Sequence, residues 1–161
     1  MIYAKRIHEA DTIKHFLTVP ELWDRISESG QKAEEFEPTM IDCVHWVGLF
    51  EESKMFGIGL CHPINNTTCM VHINIKREYR QRLGKQGGKL FLEYIVKKTD
   101  FQKVNAEVPV IYKNVAKFTE KMGFKIEGLN KKSINKNNTL HDQIMFGQTR
   151  HMIEEFLNKG V

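Results

Sequence analysis

Residues 71–95, VHINIKREYRQRLGKQGGKLFLEYI, constrain the fold most, because two periodicities meet there across a basic, glycine-bearing junction. Val71, Ile73 and Ile75 recur every second residue and His72, Asn74 and Lys76 alternate with them, which predicts a strand with one more polar face. Leu90, Phe91, Tyr94 and Ile95 recur at helical spacing and predict an amphipathic helix. From Lys76 to Lys89, six Lys/Arg stand against Glu78 alone, a local charge of +5. With Gly84, Gly87 and Gly88 in the same stretch, the sequence predicts a loop that turns tightly and a helix that begins near the glycines. A helix start carries free N–H groups and the positive end of the dipole, so it stabilises an anion by hydrogen bonds and by field. A solvated basic loop between two core elements would have the same composition.

The chain has 161 residues, which predicts one domain, 1–161, able to bury roughly 68–70% of its unfolded surface without disulfides or metals. No apolar run approaches the ~20 residues of a membrane helix, and the opening MIYAKRIHEAD lacks the apolar centre of a signal peptide, so a cytoplasmic chain is expected. Cys43, Cys61 and Cys69 lie in separate strand-like apolar runs without CxxC spacing, which predicts reduced, mostly buried thiols and no metal site. Residues 1–54 hold 6 Lys/Arg and 11 Asp/Glu, net −5, and residues 55–161 hold 18 and 9, net +9. That division suits an anionic ligand on one side and an amine on the other. Nucleic acid is disfavoured, because Lys121, Lys125, Lys131, Lys132 and Lys136 lack interleaved aromatics for base stacking.

Taken in order, residues 2–7 predict a first strand. Asp11 is a candidate cap for a short helix bearing Ile13, Phe16 and Leu17, and Thr18 to Glu21 has capping-box spacing with Pro20 in the first turn of a second helix. Residues 31–39 are acidic and aperiodic and predict a loop over the substrate side. Residues 43–50, 55–62 and 67–75, separated by short polar turns, predict a three-stranded meander. Residues 103–110 alternate as a strand, and residues 114–122 form a helical stripe stopped by Gly123. A strand from Gly123 to Gly128, a Lys/Asn-rich hairpin tip at 129–138 and a returning strand at 139–148 follow. A short final helix from Arg150 is either docked or a homodimer contact.

That order, together with NVAKF at 114–118, EKMGFKIEG at 120–128 and HDQIMFG at 141–147, resembles the GCN5-related N-acetyltransferases from Ile2 to about Arg150. Those segments are similar to the branch that includes ribosomal-protein N-terminal acetyltransferases, and small phage-encoded members also exist. The resemblance implies an α/β (α+β) fold: a mixed, mainly antiparallel sheet of about seven strands, flanked by about four helices plus a short C-terminal one. It implies acetyl-CoA as the acyl donor and an amine of a protein or small molecule as acceptor. The family's acyl-CoA loop pattern is Gln/Arg-x-x-Gly-x-Gly/Ala; QRLGKQ at 81–86 matches its first two anchors and has Gln86 where glycine or alanine stands. On that basis Arg82, Gly84, Lys85, Gln86, Gly87 and Gly88 are expected around the pyrophosphate, Ile73 and Ile75 along the pantetheine, and Asn114 beside it.

The resemblance also implies direct attack of an amine on a thioester, with a base for the amine and an acid for the departing thiolate. No carboxylate lies on the strand before the loop, which leaves His72 as the local base or, alternatively, a hydrogen-bonded strand histidine. Many relatives carry a tyrosine acid where this chain has Thr119, a poor acid, and Tyr112 lies seven residues earlier, ~10 Å along a helix. A chain that keeps the fold as a binding or assembly module is the competing expectation.

Overall fold

The computed structural model describes residues 1–159; positions 160 and 161 of the expected domain lie outside the described residues. Seven strands, β1 (Ile2–Arg6), β2 (His45–Glu51), β3 (Lys54–Pro63), β4 (Thr68–Ile75), β5 (Lys103–Pro109), β6 (Lys125–Lys136) and β7 (Thr139–Thr149), form one sheet in the order β1-β2-β3-β4-β5-β7-β6. Every neighbouring pair is antiparallel except β4 with β5. A parallel pair needs a long crossover, supplied by helix α3 (Arg77–Lys98), the fold's longest. With α1 (Ala10–Leu17), α2 (Pro20–Ile26), α4 (Lys113–Lys121) and α5 (Arg150–Asn158), this is the expected mixed architecture.

Strand alternation sorts the core onto two faces. Val47, Leu49, Phe56, Val71 and Ile75 are buried with Phe91, Leu92 and Ile95 of α3 and with Ile153 of α5. Trp46 and Ile58 are buried on the other side with Ile13 and Phe16 of α1 and Leu22 of α2. Full burial of a side chain such as Phe91 or Ile58 stabilises the fold by about 1.5–3 kcal/mol. Of the two expectations for helix α5, the docked one describes this chain: Ile153 is buried and the Lys89 ammonium lies 5.6 Å from the Phe156 ring centre.

Helix α3 corrects the sequence expectation most. It begins at Arg77, immediately after β4, so Arg82, Gly84, Lys85, Gln86, Gly87 and Gly88 lie inside a continuous helix and form no loop. Arg, Gln, Leu, Lys and Glu are good helix formers, and the glycines, each costing about 1 kcal/mol there, are used for packing. A Cβ on Gly87 would lie 3.1 Å from Phe56 and 3.3 Å from Ile75 and Leu49; one on Gly88 would lie 2.5 Å from Met122 Sδ. These two positions let α3 approach the sheet and α4 closely.

The expected hairpin tip at 129–138 is strand. β6 runs on to Lys136 and turns through Asn137 and Asn138, at φ +53° and +61°, the left-handed geometry asparagine tolerates in a two-residue hairpin turn. An irregularity between Asn130 and Ile134 places Lys132 at φ +49°, and its N–H donates to the Asp142 carboxylate at 2.8 Å. Cys43 is exposed and lies ahead of β2, whereas Cys61 and Cys69 are buried as expected. Neither short helix has the expected side-chain cap: Glu9 and Val19 occupy the N-cap positions, and the Thr18 hydroxyl donates back to Lys14 O at 2.7 Å.

Candidate active site

Pairing between β4 and β5 covers only Thr68 with Lys103, Cys69 with Val104 and Met70 with Asn105. Beyond Met70 the strands diverge, so the edge of β4 from Val71 to Ile75 has no strand partner on its β5 side. A cleft of about 500 Å³ occupies the gap. Its walls are residues 71–75 of β4 and Ala106, Glu107, Val108 and Pro109 of β5. α3 contributes Arg80, Gly88 and Phe91; α4 contributes Val115, Phe118 and Thr119. α2 contributes Trp23, Arg25 and Ile26, and the following segment adds Gln31 and Phe36.

That segment, expected as a loop over the substrate side, is pinned in place and contains a 3-10 turn at Ala33–Glu35. Lys14 Nζ contacts Glu37 Oε1 at 2.6 Å, Trp46 Nε1 donates to Thr39 O at 2.9 Å, and Trp23 and Phe36 meet with ring centres 5.6 Å apart.

The structure brings together His72, Ile73, Ile75, Gly88, Tyr112 and Thr119 of the expected site residues around this cleft. Others stand elsewhere. Arg82 is held by Glu51 through Nη1 at 2.5 Å and Nη2 at 2.7 Å on the exposed surface. Lys85 and Gln86 are exposed on the solvent side of α3, Gly84 and Gly87 are buried in packing contacts, and Asn114 is exposed in the first turn of α4; none of the five lines the cleft. Amphipathic spacing explains the displacement: once 77–89 is helical, successive residues are dealt around the helix, and only part of them can face the cleft.

His72 pairs with Leu60 across β3 and stacks on His62, ring centres 5.7 Å apart and 12° between planes. Dense packing about the ring, and then the His62 imidazole, lower its pKa. The side chain is nevertheless exposed by area, and water at its open edge limits how far the pKa falls. Thr119 is buried and its hydroxyl donates to Val115 O at 2.8 Å, which commits that proton to the helix backbone. Tyr112 occupies the N-cap position of α4, and two cations approach its ring: Arg25 Cζ is 5.3 Å from the ring centre and Lys136 Nζ 5.7 Å. Lys136 is buried, not part of a basic surface; its ammonium donates to Asp24 O and Arg25 O at 3.0 Å and to Ser27 O, closing the C-terminal end of α2.

Glu107 is the residue missed from the sequence. It is half-buried on β5, lines the cleft, and has no hydrogen bond or ion pair from its side chain among the described residues. Its signal was present in KVNAEVPV, where Lys103, Asn105 and Glu107 alternate with buried or core-packed Val104, Ala106 and Val108. Arg80 was hidden in the supposed loop. Its Nε donates to Ile75 O at 2.8 Å, which aims the guanidinium along the end of β4; burial, then the nearby Arg25 charge, lower its pKa.

No family model matches the sequence, and the comparison with curated proteins found no match. Solved structures do match. The chain is similar to a mutant of the spermidine N-acetyltransferase SpeG from Vibrio cholerae, with a TM-score of 0.77 at 13% identity, over 99% of this chain and 98% of that one. It is similar to a GNAT-family acetyltransferase from Streptococcus pneumoniae, with a TM-score of 0.74 at 15% identity, over 92% and 99% of the two chains. A GNAT-family acetyltransferase from Bacillus anthracis matches with a TM-score of 0.58 at 19% identity, over 68% and 67%. The split sheet, the crossover helix and the flanking helices are thus the GNAT acetyltransferase fold.

Proposed function

We propose that the cleft binds acetyl-CoA and passes its acetyl group directly to an amine. The unpartnered edge of β4 from Val71 to Ile75, with a carboxylate from β5 facing the same cavity, carries this reading. The residues present fit the donor in part. The free edge at Ile73 and Ile75 offers backbone groups to the pantetheine amides, and Arg77 in the first turn of α3 offers a cation and helix N–H groups to phosphates. No glycine loop wraps the pyrophosphate, because that stretch is helix.

The donor would supply a thioester carbonyl; the chain's own groups manage protons. Glu107 takes the proton from the acceptor ammonium, freeing the nitrogen lone pair to form the new C–N bond. His72 is a positioning residue: with its pKa lowered it stays neutral at pH 7 and offers one donor and one acceptor nitrogen. The proton for the departing thiolate is assigned to Tyr112, which lines the cleft and has no hydrogen bond from its hydroxyl among the described residues. Tyr112 is preferred to Thr119 for that role because the Thr119 hydroxyl donates to Val115 O.

A binding module is the second reading, and the continuous helix through Gly84 and Gly88 favours it. Acetyl-CoA separates the two. At 100 times its dissociation constant it is expected to stabilise the protein by about 2.7 kcal/mol, a readable thermal shift; no shift at millimolar concentration would sink the transferase reading. Given binding, Glu107→Gln is expected to lower kcat by about 10²–10⁴ while the thermal shift with acetyl-CoA persists. An unchanged kcat would remove Glu107 as the base.

A further inference from the structure

We infer that the acceptor is an amine that also carries an anionic group, and that Arg25 and Arg80 receive that group. The inference rests on the transferase reading for the amine but not for the anion site.

Arg25 and Arg80 come from different elements, α2 and α3, and both line the cleft. They are close enough for the Arg25 charge to act on Arg80. Among the described residues neither forms an ion pair with a carboxylate. The carboxylates near Arg80, Glu21 and Glu78, act on it through space and do not bond to it. Each guanidinium is held by one fixed contact that leaves other donors open: Arg80 through Nε to Ile75 O at 2.8 Å, Arg25 over the Tyr112 ring at 5.3 Å. Two like charges held in one cavity and bonded to no carboxylate repel each other, and a bound carboxylate or phosphate group relieves that repulsion while accepting forked hydrogen bonds.

Glu107 lines the same cleft with the opposite sign. A cavity with one carboxylate and two arginines complements a molecule with an ammonium and an anion, such as an acidic peptide or an amino acid, and opposes a polycation. The chain therefore differs in acceptor class from the spermidine N-acetyltransferase whose fold it shares.

Trp23 and Trp46 are the chain's two tryptophans and both line the cleft, so intrinsic fluorescence reads occupancy without turnover. The probes are glycyl-glutamate, the same dipeptide with both carboxyls amidated, and spermidine. Glycyl-glutamate is expected to bind about tenfold or more tightly than either other probe. Arg25→Gln is expected to abolish that preference and Arg25→Lys, which keeps the charge, to retain part of it; an effect of lost packing alone would strike both variants equally. Spermidine binding as tightly as glycyl-glutamate, a preference unchanged in Arg25→Gln, or no binding of any probe overturns the inference. So does an Arg25→Gln variant that weakens acetyl-CoA and leaves the dipeptide unaffected, since the anion would then belong to the donor. The acetyl-CoA thermal shift is read separately: dipeptide preference without that shift sustains the anion site and sinks the transferase reading, and the shift without the preference does the reverse.

Discussion

His72 shows how one side chain connects strand register to solution behaviour. Its native pKa is lowered from 6.5 by burial and by His62, so below that value the unfolded chain takes up a proton more readily than the folded one. Stability is therefore present at neutral pH and is lost as the pH falls below 6.5. The expected outcome is that His72→Gln loses less melting temperature between pH 7.5 and pH 5 than the parent chain does. An equal loss would assign the acid sensitivity to other groups, such as His45, whose pKa is lowered by burial and by Arg6. At this scale the sequence was half legible. Alternation placed His72 opposite the apolar face of its strand, but whether Glu107 and Arg80 meet it depends on how β4 and β5 diverge, which no local pattern encodes.

Among the elements, α3 departs furthest from expectation, and its glycines test why. A Cβ at Gly84 would touch Phe118 alone, at 3.8 Å, so Gly84→Ala is expected to gain close to the full helix-propensity difference, about 0.8–1 kcal/mol, in a denaturant titration. Acetyl-CoA binding, judged by thermal shift, should be unchanged by it; a glycine that cradled a phosphate would not tolerate the methyl so well. Gly59→Ala is the opposite case, since its Cβ would lie 2.5 Å from the Phe91 ring, and a loss of about 1–3 kcal/mol is expected. Meander strands, the Gly123 stop and the helix before it were legible because each has its own periodicity or breaker. The start of α3 and the length of β6 were not: glycine and Lys/Asn clusters signal loops on average, yet the close approach at Gly87 and Gly88 and the left-handed turn at Asn137 and Asn138 place them in regular structure.

For the molecule as a whole, Lys136 ties together parts distant in sequence, holding the hairpin of β6 and β7 against the end of α2 through three carbonyls. Lys136→Ala leaves those carbonyls without their charged partner and is expected to cost about 1.5–3 kcal/mol, with Trp23 becoming more accessible to acrylamide. A variant as stable as the parent would make the contact dispensable. The split beyond Met70 has a mechanical consequence. The sheet is two leaves, β1 to β4 and β5 with β7 and β6, stitched by three residue pairs at one end. A ligand whose amides lie along the open edge of β4 supplies the missing rungs, so occupancy should be visible as slowed amide exchange at residues 71–75, and the width of the gap should follow what fills it.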